Sequence, residues 1–197
     1  MMLKLLHVGC GRQTKVRTTL AFQKNEWTEV RLDIDPAVEP DIVASITNMT
    51  SIPDAVFDAL FSSHNIEHLY PHEVNRALSE FARVIKPDGF AVITCPDLRA
   101  ICQLVVQDRL TDPAYESSMG PITPLDMLYG HIRSVAAGNH FMAHRCGFTR
   151  KSLAELLQMN GFPTVAVKED KNYALWAYAS RCKLSNEEAQ ARAAEHF

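Results

Sequence analysis

The sequence predicts an α/β protein with a doubly wound, mostly parallel sheet that ends in an antiparallel hairpin. Three observations predict it. Short apolar runs alternate with segments of helical periodicity. The early runs end at glycines or at acidic residues before proline, as buried strands do at their carboxyl ends. The last two strand-like runs follow each other with only a short polar connection. The 197 residues are enough for one well-packed core. No repeat or linker divides them, so a single domain over residues 1–197 is expected.

Residues 3–8 form an apolar run that stops at Gly9-Cys10-Gly11, a buried first strand and its turn. Residues 12–27 show weak helical periodicity and are expected to hold the first crossover helix. Residues 29–34 read as a second strand stopped by Asp35-Pro36, 41–46 as a third, and 57–62 as a fourth. Residues 72–86 place Val74, Ala77, Leu78, Phe81, Ala82 and Ile85 on one helical face, and Pro87-Asp88-Gly89 is expected to end that helix. Residues 90–95 are a fifth strand, and a helix over about 98–110 follows.

Segment 111–147 breaks this rhythm with three prolines, four glycines and three histidines. Within it, Thr123-Pro124-Leu125-Asp126 predicts a helix start, running to about residue 137. Thr149 caps the next helix, with Phe148 stapled onto Leu153 and Asn160-Gly161 as its stop. Residues 163–168 and 174–181 are the final hairpin, expected to leave one edge strand antiparallel. From Ser185 the chain is a polar helix or frayed end.

The composition is ordinary for a globular protein: 47% hydrophobic, 22% charged, net charge -3. No Lys/Arg run marks a phosphate backbone or an anionic membrane as partner. Five cysteines without C-x-x-C spacing predict reduced thiols, and the amino-terminal apolar run is too short for a signal peptide. No apolar stretch reaches the ~18 residues of a membrane span. A cytoplasmic protein without nucleic-acid or membrane partners is expected, and its oligomeric state is not specified by the sequence.

In such a sheet ligands bind beyond the carboxyl ends of the strands, where strand order reverses. Gly9 and Gly11 allow the backbone to turn sharply and present amides to an anion. Asp33 follows Gly11 by 22 positions, close to the ~20 expected of a carboxylate that grips a ribose diol, and Ile34 is placed to cover a base. Ser45, Ile46 and Asn48 offer the acceptor and amide that adenine recognition needs. The fourth strand ends in Ser62-Ser63-His64, a polar floor. Among the histidines, His64 and His144 are the candidates for a general base near neutral pH. Segment 111–147 is expected to act as a substrate lid, with Tyr129, Arg133, His140 and Arg145 as its binding side chains.

Four stretches carry a resemblance. They are Leu6-His7-Val8-Gly9-Cys10-Gly11, Leu32-Asp33-Ile34-Asp35-Pro36, residues 57–68 from Phe57-Asp58-Ala59 to Ile66-Glu67-His68, and residues 78–89 from Leu78-Ser79-Glu80 to Pro87-Asp88-Gly89. In order and spacing they resemble the class I S-adenosylmethionine-dependent methyltransferases, most closely the small type 11 branch. The resemblance implies a seven-stranded, Rossmann-like sheet and S-adenosylmethionine as cofactor. It places Gly9 and Gly11 against the methionine part, with His7 and Cys10 beside them among the cofactor-binding residues, Asp33 on the ribose, and Ser45, Ile46 and Asn48 near adenine. It also places Ser62, Ser63 and His64 near the sulfonium. A small-molecule or sugar-like methyl acceptor is expected. Two positions depart from the family pattern: His7 stands at the usual acidic position and Gln13 at the usual third glycine.

Three rival readings remain. His64-Asn65-Ile66-Glu67-His68, with His72 one turn on, matches the H-x-x-E-H pattern of zinc hydrolases. Because His64 directly follows a strand and Pro71 interrupts the next turn, no metal is expected. A nicotinamide oxidoreductase shares the glycine turn and acidic strand end but needs a third glycine. A non-catalytic, cofactor-binding module of the same fold is kept open by His7 and Gln13.

Overall fold

The computed structural model describes residues 2–117 and 119–197, so Met1 and Ser118, the latter inside the expected lid, lie outside it. Seven strands form the main sheet in the order β3-β2-β1-β4-β5-β9-β8. They are β1 (Leu3–Val8), β2 (Trp27–Asp33), β3 (Ile42–Val43), β4 (Phe57–Ser63), β5 (Ile85–Pro96), β8 (Thr164–Glu169) and β9 (Ala174–Ser180). Strands β1 to β5 pair in parallel; β9 runs antiparallel to both β5 and β8. The doubly wound sheet and its hairpin are thus as expected, but the antiparallel strand is not at the edge. β9 inserts between β5 and β8, so β8 forms the edge. The inserted strand is the more buried one: all seven residues of β9 but Trp176 are buried.

Strand alternation sorts the core into two layers. Leu6, Val8 and Leu60 join Val74, Leu78, Phe81, Leu153 and Leu157 on one face. These helical residues come from α2 (Pro71–Val84) and α6 (Arg150–Met159). Leu5, Ala59 and Phe61 meet Phe22, Trp27 and Tyr178 on the other. Glu73 accepts from the Tyr70 amide at 2.9 Å, closing the first turn of α2, where Pro71 lacks an N–H. Thr149 accepts from the Ser152 amide at the start of α6, and both Phe148 and Leu153 are buried beside it.

Four elements differ from the sequence expectation. The first crossover holds a 3-10 turn (Lys15–Arg17) without buried residues and the short α1 (Leu20–Gln23), which buries only Ala21 and Phe22. β3 keeps two residues; beyond it the Ser45 hydroxyl bonds Thr47 and turns the chain away. α2 ends at Val84, and Pro87-Asp88-Gly89 falls inside β5 as an irregularity. There the pairing passes from Phe57↔Ile85 to Ala59↔Phe90, and Lys86 Nζ reaches Asp58 Oδ1 at 2.5 Å. After α3 (Leu98–Val106), the expected lid opens with a two-stranded ribbon, β6 (Tyr115–Ser117) and β7 (Gly120–Ile122). The helix expected there breaks at Gly130 into α4 (Pro124–Tyr129) and α5 (Ile132–Ala136). The carboxyl-terminal helix α7 is Asn186–Ala193. Among the described residues no helix is long and apolar enough to cross a membrane, and all five cysteines are free thiols.

The chain end docks through His196. Its ring lies 4.6 Å from that of Phe22 and 5.2 Å from that of Phe90, and Nδ1 is 2.9 Å from Thr19 Oγ1. Burial, helped by Lys24, pushes its pKa down to about 4. The folded state therefore binds fewer protons than the unfolded state, whose histidine titrates near ~6.5. This contribution is complete above ~6.5 and is lost as the pH falls toward 4, by up to about 3 kcal/mol. In urea unfolding at pH 7 and pH 4.5, the parent is expected to lose more stability on acidification than His196→Gln. Equal losses would remove His196 from the acid response.

Candidate functional site

The strand order reverses between β1 and β4, and the carboxyl ends of both, with that of β2, surround a cavity of about 310 Å³. Gly9 and Gly11 both adopt left-handed backbone, φ +59° and +52°, where side chains are disfavoured. At Gly9 a Cβ would also lie 2.5 Å from Asn65 Nδ2, whereas at Gly11 it would meet nothing within 4 Å. The first glycine lets β4's loop close on the turn; the second leaves its backbone facing open space.

Asp33 ties this turn to β2. Its Oδ2 accepts from the Gly11 amide at 2.7 Å and its Oδ1 from the Asp35 amide at 3.0 Å. Each oxygen retains a lone pair, so the carboxylate can still accept from a pair of hydroxyls. Asp35 instead accepts from the Ala37 amide and opens the Pro36 turn. Ile34, 50% exposed, and the buried Ile46 form apolar wall beside Ser45. Among the described residues Asn65 Nδ2 is buried without a partner, an orphan donor at the glycine turn.

The cavity collects Gly9, Gly11, Asp33, Ile34, Ser45, Ile46, His64 and Arg145 from the expected site. Other expected residues stand elsewhere. His7 faces the opposite layer, with Nδ1 2.8 Å from Glu29 Oε1 and its ring edge-on to Phe61. The Cys10 thiol is buried, with Sγ 3.3 Å from the Gly11 carbonyl, and burial raises its pKa, partly offset by Arg31. The Asn48 amide donates to the Ser45 carbonyl, outside the cavity. Ser62 is fully buried, and Ser63 is bonded to Thr94 of β5 at 3.0 Å. Tyr129, Arg133 and His140 are exposed and line neither this cavity nor the one beside it. From segment 111–147 Arg145 reaches inward, stacked 4.6 Å over the Tyr70 ring with Nη1 bonded to the His68 carbonyl.

His64 is the hinge of the arrangement. It holds a left-handed backbone, φ +47°, a strain that non-glycine residues keep chiefly at functional positions. It lines both this cavity and a second one of about 160 Å³, which His144, Tyr115, Met127 and Tyr173 also line. Beneath it lies Glu67, fully buried, with neither carboxylate oxygen in an aligned hydrogen bond. Its Oε1 is 3.3 Å from His64 Nδ1 and 4.0 Å from His144 Nε2. Burial pushes the Glu67 carboxyl up, but the three imidazoles of His64, His68 and His144 outweigh it and hold it below the usual range. The His64 imidazole is lowered by desolvation and raised more by Glu67, so its net shift is upward. His144 is shifted down, chiefly by burial. Its Nδ1 lies 2.8 Å from the Met127 carbonyl, so the neutral ring carries its lone pair on Nε2, toward Glu67.

Sequence reasoning did not assign Asn65, Glu67, Phe141 or Met142 to the site. The apolar pair Phe141-Met142 inside a polar segment was the available signal for the last two. A larger groove, about 780 Å³, runs along the free edge of β8 beside α7. It lacks the glycine turn and the histidine cluster, and it lies away from the reversal of strand order, where ligands of such sheets bind.

Residues 6–93 match the sequence model of a methyltransferase domain. No curated protein matches the chain. Solved structures share the fold. A protein from Pyrococcus horikoshii aligns with TM-score 0.62 at 18% identity, over 91% of this chain and 82% of its own. The 1,6-didemethyltoxoflavin-N1-methyltransferase of Burkholderia thailandensis, solved with 1,6-didemethyltoxoflavin and S-adenosylhomocysteine bound, aligns with TM-score 0.59 at 18% identity, over 92% and 72%. A SAM-dependent methyltransferase from Archaeoglobus fulgidus gives 0.57 at 15%, over 91% and 86%. The sequence match to a methyltransferase domain runs from β1 into β5, and these solved structures share the fold over most of the chain.

Proposed function

We propose that the protein transfers a methyl group from S-adenosylmethionine to a small-molecule or sugar-like acceptor. The observation that carries this reading is the Gly11–Asp33 hydrogen bond of 2.7 Å. It brings an open glycine turn and a carboxylate with free lone pairs to one cavity at the reversal of strand order. The residues present fit the cofactor: Asp33 would hold the ribose hydroxyls, Ile34 and Ile46 the faces of adenine, and Ser45 its polar edge. Gly9, Gly11 and the orphan Asn65 amide would meet the methionine part. When bound, the cofactor supplies an electrophilic methyl on its sulfonium.

The chain's own part is to position, exclude water and manage a proton. The second cavity, next to His64, is the place for the acceptor. His64, held over Glu67, would take the acceptor's proton on its ring, and the carboxylate below would stabilise the imidazolium formed. His144 turns Nε2 to Glu67 instead, so its effect on the acceptor is exerted through that carboxylate. Arg145, pinned by Tyr70 and the His68 carbonyl, would meet an anionic group of the acceptor.

Calorimetric titration with S-adenosylhomocysteine tests the reading. Binding in the micromolar range, about −8 kcal/mol, is expected, with no binding of NADH under the same conditions. Tight NADH binding without response to S-adenosylhomocysteine would replace the methyltransferase with an oxidoreductase.

A further inference from the structure

We propose that Glu67, His68 and His144 form a binding site for one divalent transition metal of the zinc class. The site adjoins the cofactor cavity, which His68 also lines, and it draws on the Glu67 carboxylate that lies under His64, so it deepens the methyl-transfer reading while metal uptake itself is measured apart from it. Each of the three offers a ligand atom, and these atoms lie within 4.8 Å of one another. A cation at the centre of such a triangle sits about 2.8 Å from each atom, so side-chain shifts below ~1 Å would reach the ~2.1 Å of zinc–nitrogen and zinc–oxygen bonds.

Three further observations point to a cation. Among the described residues both Glu67 oxygens are buried without an aligned donor, and the His64 Nδ1 contact at 3.3 Å reaches Oε1 alone, which leaves Oε2 buried and unpaired at a cost. The His144 ring is oriented by Nδ1 against the Met127 carbonyl at 2.8 Å, the outer contact that fixes a ligating imidazole with its other nitrogen inward. His68 places Nδ1 3.1 Å from the Ala143 carbonyl and Nε2 3.1 Å from the His64 carbonyl. A neutral ring carries one N–H, so it satisfies only one of these contacts and leaves a lone pair on the other nitrogen. That nitrogen is free to ligate once the ring turns from its carbonyl.

The scaffold brings the set together without large motion. The Arg145 and Cys146 amides both donate to the Glu67 carbonyl, at 2.8 and 3.2 Å, so the chain carrying His144 is clamped onto the loop carrying Glu67 and His68. Two imidazoles and one carboxylate suit zinc-class ions and leave a coordination position open. His68 and His144 line the 160 Å³ cavity, so that position faces the space beside His64, where an oxygen of an acceptor would ligate. This is not the zinc-hydrolase helix of the H-x-x-E-H pattern. Residues 66–68 form a 3-10 turn, and the third ligand comes from the far segment.

The test uses the full chain freed of metal by a chelator, titrated with Zn²⁺ and with Co²⁺. One ion per chain is expected, with visible d–d absorption for the cobalt form. His144→Ala and Glu67→Gln should each weaken binding by at least ~10-fold, while His72→Ala, on the exposed face of α2, should bind as the parent does. Histidine NMR in the parent keeps the test independent of variant folding: Co²⁺ should broaden the His68 and His144 resonances and spare His72. Absence of stoichiometric uptake by the parent, unchanged affinity in both site variants, or broadening confined to other histidines overturns the proposal. Titration of the same metal-free sample with S-adenosylhomocysteine reads the cofactor cavity separately, so failure of either site is recognised as its own.

Discussion

Asp33→Ala is expected to weaken S-adenosylhomocysteine binding by roughly 10- to 150-fold, or about 1.5–3 kcal/mol, the range for lost hydrogen bonds to a charged group. The loss has two sources. The carboxylate would accept from the ribose hydroxyls directly. It also holds the Gly11 amide at 2.7 Å and the Asp35 amide at 3.0 Å, so its removal loosens the turn against which the methionine part would lie. Asp33→Asn should recover little, because an amide NH₂ turned toward either backbone N–H opposes donor to donor. Calorimetry on folded variants, checked by circular dichroism, measures the effect. Equal affinity in parent and Asp33→Ala would take Asp33 out of the site and leave its role to the backbone amides alone.

The largest stability effect is expected at Gly130. Its backbone, φ +94° and ψ 161°, belongs to a region essentially restricted to glycine. A Cβ there would run into the Met142 carbonyl, next to the chain that carries His144. Strain and overlap together predict a loss of roughly 2–5 kcal/mol for Gly130→Ala. Gly138→Ala is the control. It shares the positive φ, +95°, but its Cβ would meet nothing within 4 Å, so only backbone strain of about 1–2 kcal/mol remains. Urea unfolding of both variants should separate the two contributions by their midpoints at unchanged slope. Equal losses would mean that Gly130 does not pack on Met142.

These two sites differ in how visible they are in the sequence. The Asp33 site is local to two strand ends, and the spacing of 22 from Gly11 announces it. The Gly130 contact joins a helix end to a turn twelve residues on, and nothing in the pattern of residues 111–147 separates a helix break from an ordinary surface glycine. Side-chain direction was legible in part. Parity along β1 puts Leu6 and Val8 on one face, so Leu5 and His7 must face the other, away from a cavity that opens at the strand's end. Pro87-Asp88-Gly89 read as a helix stop because its turn chemistry is local. Its pairing partner, β4, draws it into β5 instead, where Gly89 passes 2.5 Å, by its missing Cβ, from the Asp58 carbonyl.

What the sequence by itself determined is the alternation of strands and helices, the glycine turn, its acidic partner and the starts of α3 and α6. All of these follow from periodicity and from backbone preferences that act within a few residues. Only the tertiary structure decided the position of β9 inside the sheet, the break at Gly130, and the meeting of Glu67 with His144 beneath His64. Those outcomes depend on burial and on hydrogen bonds between segments far apart along the chain, such as the Arg145 amide on the Glu67 carbonyl. No local pattern records which distant group will satisfy a buried polar atom.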